Sequence, residues 1–200
     1  KDYDKLISLG LKDATIYFKR GSSFSKIGRF SEAIKDFDEA IKLKPDNFES
    51  YYRKALALYA MARYPEAIAG FDQAIQINPD FAPAFYNRGI AYAVSGNQAE
   101  AINNYEKAIS LNPKDSSIYV RQGDAYTVLR DYANAALSYE KAVNLDPKAS
   151  GVHYSRGLAL SKSGNHAEAI KSYSKVLELN PGFVNALYNR AVSLRELGRE

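Results

Sequence analysis

The chain contains no cysteine, which removes disulfides, thiolate zinc sites and cysteine nucleophiles and leaves the redox compartment open. It has no long apolar run, so no segment reads as a membrane span. The opening KDYDKLISLG lacks the basic-then-apolar order of a secretory leader. No Met stands first, and we expect a processed start or a piece cut from something longer. There is no N-x-[ST] sequon and no block of five like charges. The 27 basic and 23 acidic residues are interleaved, and the net charge is only +4. Composition therefore signals neither a nucleic-acid patch nor a membrane surface. What is left is 200 residues with 46% hydrophobic content, enough for a sizeable core.

One pattern dominates what is there. AIKDFDEAIKLKP, AIAGFDQAIQINP, AINNYEKAISLNP, AALSYEKAVNLDP and AIKSYSKVLELNP begin at Ala33, Ala67, Ala101, Ala135 and Ala169, always 34 residues apart. A fixed period of this size indicates stacked structural repeats. The units are 14–47, 48–81, 82–115, 116–149 and 150–183. In the first half of each, a large ring stands at the fourth position (Tyr17, Tyr51, Phe85, Tyr119, His153). A small residue follows four later (Gly21, Ala55, Gly89, Gly123, Gly157), and a large one three beyond that. Steps of four and three put all three on one helical face. Ala101, Tyr105, Ala108 and their counterparts repeat the logic in the second half, so each unit predicts two amphipathic helices. Gly28, Gly96 and Gly164 suit the left-handed position that ends the first helix. Ala62 and Arg130 replace glycine in two units, and those turns are expected to close differently. Pro45, Pro79, Pro113, Pro147 and Pro181 follow the second helix, while Pro65 and Pro83 fall in first turns, where the missing N–H costs nothing.

These residues resemble the tetratricopeptide repeat (TPR) family. Its pattern is a large residue at 4, Leu-Gly at 7–8, Tyr at 11, Ala at 20, an aromatic at 24, Ala at 27 and Pro at 32. Two departures stand out. Position 7 holds Arg20, Lys54, Arg88, Gln122 and Arg156 instead of Leu, and Val176 replaces Ala at position 27. Residues 1–13 match the end of a second helix, and residues 184–200 match a first helix with its turn glycine, Gly198. The resemblance implies an all-α, right-handed α-solenoid superhelix of antiparallel helix pairs, one solenoid over 1–200 and part of a longer array. Any catalytic or anchoring domain would then lie outside these residues.

No catalytic constellation is recognisable. His153 occupies a core position and His166 a turn, and neither has a second ligand on its helical face. Carboxylates such as Glu32, Glu66, Glu100 and Glu168 recur where a helix begins, which the macrodipole favours. We expect no enzyme, no metal and no cofactor. In the family, positions 2, 5, 6, 9, 12 and 13 line the inner face that binds peptides. Position 5 here reads Phe18, Tyr52, Tyr86, Val120, Tyr154, Tyr188, and position 6 reads Lys19, Arg53, Asn87, Arg121, Ser155, Asn189. Two readings of the rings stay open, and both can hold: they face a ligand, or they pack on the adjacent first helix. Leu56, Tyr59, Ile90 and Val94 add an apolar middle. The candidate groove is therefore Phe18, Lys19, Tyr52, Arg53, Leu56, Tyr86, Asn87, Ile90, Arg121, Tyr154, Tyr188 and Asn189. It suits a protein or peptide with an aromatic or aliphatic anchor and carboxylates held by Arg53 and Arg121. Of the five residues with which some family members clamp acidic chaperone tails, only Asn87 and Arg121 have counterparts; Tyr52, Leu56 and Ser117 fill the other places. The position-6 Asn ladder of the TPR glycosyltransferases is broken at four of six places. Nucleic acid and membrane insertion are not expected. Two alternatives stand beside this: self-association, through apolar end helices carrying Leu6, Ile7 and Leu9 or Leu187, Leu194 and Leu197, or a substrate-targeting arm of an enzyme whose catalytic domain lies outside this segment.

Overall fold

The computed structural model describes residues 2–198. Within them all regular structure is helical, and the chain forms two compact units, 1–97 and 98–200. The first contains α1 (Asp2–Ser8), α2 (Ala14–Lys26), α3 (Phe30–Leu43), α4 (Phe48–Ala60), α5 (Tyr64–Ile77) and α6 (Ala82–Val94). The second contains α7 (Gln98–Leu111), α8 (Ser116–Val128), α9 (Tyr132–Leu145), α10 (Ser150–Lys162), α11 (His166–Leu179) and α12 (Val184–Glu196). From α2 onward the helices alternate between 13 and 14 residues, as two amphipathic segments per period require. Within each unit consecutive helices pack on one another, and the first helices also touch: α2 with α4, α4 with α6, and α10 with α12.

The core is the repeat's own signature. Phe37, Phe71, Tyr105, Tyr139 and Tyr173 at position 24 are all buried, as are the alanines at position 20 and Val176 at position 27. The small residue at position 8 is what lets the position-24 ring in. A Cβ on Gly157 would lie 2.5 Å from Tyr173 Cε1, and one on Gly123 would lie 2.6 Å from Tyr139 Cε1. His153 takes the same place as Tyr119: its Nε2–H donates to Pro147 O at 3.0 Å, where the Tyr119 hydroxyl donates to Pro113 O. It is a packing residue.

Turn closure corrects one expectation. Ala62 (φ 58°) and Arg130 (φ 60°) adopt the left-handed conformation of Gly28 (φ 76°). Arg63 N donates to Leu58 O at 3.0 Å and Asp131 N to Tyr126 O at 2.9 Å, the same six-residue bond that Arg29 N makes to Phe24 O. The turns are thus closed alike. The two bonds and the docking of the flanking helices outweigh a left-handed penalty of about 1–2 kcal/mol at a residue with a Cβ.

The position-7 departure also has a physical account. In each case the polar residue reaches 16 residues along the chain to position 23 or 25. Arg20 makes a two-point pair with Asp36 (2.8 and 2.6 Å) and also holds Asp4 at 2.8 Å. Lys54 pairs with Asp38 at 2.7 Å, and Arg88 pairs with Asp72. In the second unit Ser138 Oγ donates to Gln122 Oε1 at 2.9 Å, and Arg156 donates to Ser172 at 2.8 Å and lies 3.8 Å from Glu140. Arg190 donates to Ser174 at 3.3 Å. Where the family packs a leucine, this chain runs a ladder of polar rungs. Every rung to position 25 joins one repeat to the next.

Candidate functional site

The candidate residues sit on the first helices of their repeats, and the structure brings some of them together. In the first unit the Tyr52 ring (α4) lies 5.8 Å from Phe71 and 5.0 Å from Phe81, edge-on to the latter. Its hydroxyl accepts from Asn87 Nδ2 (α6) at 3.0 Å, and the same Nδ2 donates to Pro83 O at 2.8 Å. Both amide protons of Asn87 are thereby engaged, and its Oδ1 is left as the acceptor. Arg53 is exposed, with its guanidinium 5.9 Å from the Tyr52 ring centre, and it makes no ion pair among the described residues. Burial raises the Tyr52 hydroxyl above the usual phenol range, and the Arg53 charge partly offsets that. Leu56 packs half-buried against the Phe71 cluster.

The arrangement recurs three repeats later in the second unit. Tyr154 (α10) lies 6.0 Å from Tyr173 and 5.0 Å from Phe183, and Asn189 Nδ2 (α12) donates to its hydroxyl at 2.9 Å. Packing therefore accounts for one side of Tyr52 and Tyr154: each ring lies on its own repeat's second helix and on the residue that caps the next first helix, and stays half-exposed on the other side. Phe18 rests on Phe37 with centroids 5.9 Å apart, and Lys19 beside it is exposed. Tyr86 and Ile90 are half-buried on α6. Arg121 is exposed on α8, 3.6 Å from Asp124. Tyr188 on α12 is 69% exposed and lies outside the ring clusters. Of the apolar end residues, Leu9, Leu187 and Leu197 are exposed, and Leu6, Ile7 and Leu194 are half-buried.

Two features escape a reading of single columns. The ladder has a sequence trace, since acidic residues at Asp4, Asp38, Asp72, Glu106 and Glu140 stand 16 places before position 7. An opening beside Tyr132 has almost none, because it depends on two short side chains on separate helices. Among the described residues no cluster of three or more His, Asp and Glu could hold a metal, and no helix is long and apolar enough to cross a membrane.

Comparison with known proteins agrees with this architecture. Family models described as tetratricopeptide repeat match residues 18–83, 82–115 and 151–183, and one described as TPR repeat matches 123–164. Together they cover most of the chain, which belongs to the tetratricopeptide repeat family. Among solved structures, MamA protein is 26% identical with a TM-score of 0.79, over 86% of this chain and 94% of its own. YrrB, described as a TPR protein with an unusual peptide-binding site, is 19% identical with a TM-score of 0.80, over 96% and 98%. MamA 41-end from Desulfovibrio magneticus RS-1 is 24% identical with a TM-score of 0.77, over 85% and 96%. No curated protein matches by sequence. The fold is thus that of a TPR scaffold, a class built for protein–protein interaction.

Proposed function

We propose that the chain is a non-catalytic scaffold that holds an extended partner polypeptide against the first-helix face of its repeats. The observation that carries this is the Tyr–Asn bridge with its ring cluster, built once around Tyr52 and Asn87 and again around Tyr154 and Asn189. Each bridge spans two repeats and holds a half-exposed aromatic ring beside an amide carbonyl. That pairing suits the alternating apolar side chains and backbone N–H groups of an extended peptide. Arg53 in the first unit and Arg121 in the second, both exposed, each favour a carboxylate on the segment bound by their own unit. Phe18, Lys19, Leu56, Tyr86 and Ile90 complete the proposed face of the first unit, and Tyr188 belongs to that of the second. A neighbouring fold described as having a peptide-binding site supports the ligand class.

Selection from a random peptide display library tests this. Wild type should enrich peptides bearing Asp or Glu near an aromatic or aliphatic residue. Arg53→Glu with Arg121→Glu should abolish the acidic preference while leaving the melting temperature within a degree or two. Unchanged selection by the folded double variant would reject the reading. A second reading, stacking of copies, draws support from Val184, Leu187 and Leu197, which are exposed on or just after α12. A molar mass that stays constant across a light-scattering concentration series would count against it.

A further inference from the structure

The second unit contains an opening of about 220 Å³ walled by Thr127, Tyr132, Tyr139, Ser155, Leu158 and Lys162, between α8, α9 and α10. Small-molecule pockets run from roughly 300 to 1,000 Å³, so this one is sized for a side chain. The corresponding place two repeats earlier, the one repeat with a ring in the Thr127 column, indicates which. Counting back two periods, the same six positions hold Tyr59, Tyr64, Phe71, Asn87, Ile90 and Val94. There the Tyr59 ring lies 5.5 Å from Tyr64 and packs against the cluster of Ala55, Leu58, Phe71 and Ala91. In the second unit Thr127 stands in Tyr59's place and Ser155 in Asn87's. Tyr132 keeps the position of Tyr64 without Tyr59's ring across from it.

The chemistry of the walls is consistent with a ring. At the floor the Tyr139 hydroxyl donates to Asp124 Oδ1 at 2.8 Å and lies 3.3 Å from Thr127 Oγ1, so its polar atom is satisfied and its ring presents carbon. Thr127 Oγ1 in turn donates to Gly123 O at 2.8 Å. Leu158 and Ala159 make the far wall apolar. Lys162 stands on the rim where the first unit has Val94. It is exposed, with no ion pair among the described residues.

We infer that this opening receives one aromatic side chain of the bound partner, with a carboxylate beside that ring paired to Lys162. The inference rests on the scaffold reading, in that ring and carboxylate come from the same polypeptide. The first unit supplies in cis, at Tyr59, what the partner supplies here in the second.

The direct test is an NMR titration with two probes, 4-hydroxyphenylacetate and p-cresol. In wild type both should shift the amides of Thr127, Ala159 and Lys162 saturably, the carboxylate-bearing probe binding about two- to fivefold more tightly, as one exposed ion pair allows. Thr127→Tyr, which copies the first unit, should remove binding of both. Lys162→Glu should weaken only 4-hydroxyphenylacetate. Should Thr127→Tyr not fold, Ser155→Leu closes the opening from the opposite wall and serves the same purpose. Absence of saturable shifts at these amides, or shifts undiminished in the filled variant, would overturn the inference; equal affinity for the two probes would remove the part given to Lys162. Ring binding that persists while Arg53→Glu/Arg121→Glu leaves peptide selection unchanged would reject the groove and keep the pocket. The converse would reject the pocket alone.

Discussion

Ala62 and Arg130 hold a backbone conformation that glycine occupies at four equivalent turns, Gly28, Gly96, Gly164 and Gly198, and each carries the steric cost of its Cβ there. Ala62→Gly and Arg130→Gly should each stabilise the protein by about 1 kcal/mol, read as a higher urea midpoint with an unchanged denaturant slope. Glycine at the sites already left-handed explains why the other turns were legible as turns. The conformation at Ala62 and Arg130 was not, because a single letter reports propensity, whereas two docked helices decide the outcome. The same limit applied at position 5. The letters gave an aromatic column, but only the fold distinguishes Tyr52 and Tyr154, clasped by an asparagine from the next repeat, from the open Tyr188.

At the scale of helices, the rung from Arg20 to Asp36 is the one with most at stake. The Asp36 side chain is only 4% exposed, and its carboxylate, with Asp4 adding to it, raises the Arg20 guanidinium above its usual value. Arg20→Leu restores the family's residue yet leaves a buried carboxylate unpaired, so it should cost about 3–5 kcal/mol. Arg20→Leu combined with Asp36→Ala should recover most of that loss, measured as a double-mutant cycle by chemical denaturation. Helix existence, length and pairing were readable from the 34-residue period, since apolar spacing is a local property. The rungs were half readable: a basic residue at position 7 was evident, but its partner lies on a different helix. The opening beside Tyr132 was unreadable for a related reason, since Thr127 and Ser155 mean little until α8 and α10 are set side by side.

Over the whole molecule, the two units differ in what fills position 24. The first has Phe37 and Phe71, and the second has Tyr105, Tyr139 and Tyr173. Burial pushes Tyr173 up to about 12, and Tyr139 is raised further still by burial, with the nearby Asp124 adding to it. A phenol held protonated by the fold contributes stability that is fully present below its unfolded value near 10 and is lost as pH rises through the folded value. Melting temperature should therefore drop steeply between pH 10 and 12. Amide exchange should accelerate in α9 and α11 before α3 and α5, and Tyr139→Phe with Tyr173→Phe should flatten that dependence. The ladder has a consequence at this scale too. Each rung to position 25 joins residues 16 apart, from Arg20, Lys54, Arg88, Arg156 and Arg190, while Gln122 turns to Ser138 instead. Splicing out or duplicating the 48–81 stretch leaves each remaining arginine or lysine of the first unit with an aspartate 16 residues before it, whereas an indel that is not a multiple of 34 strands a cation against the wrong turn of helix. The array can thus lengthen or shorten only in whole steps, and the polar seam acts as its ratchet.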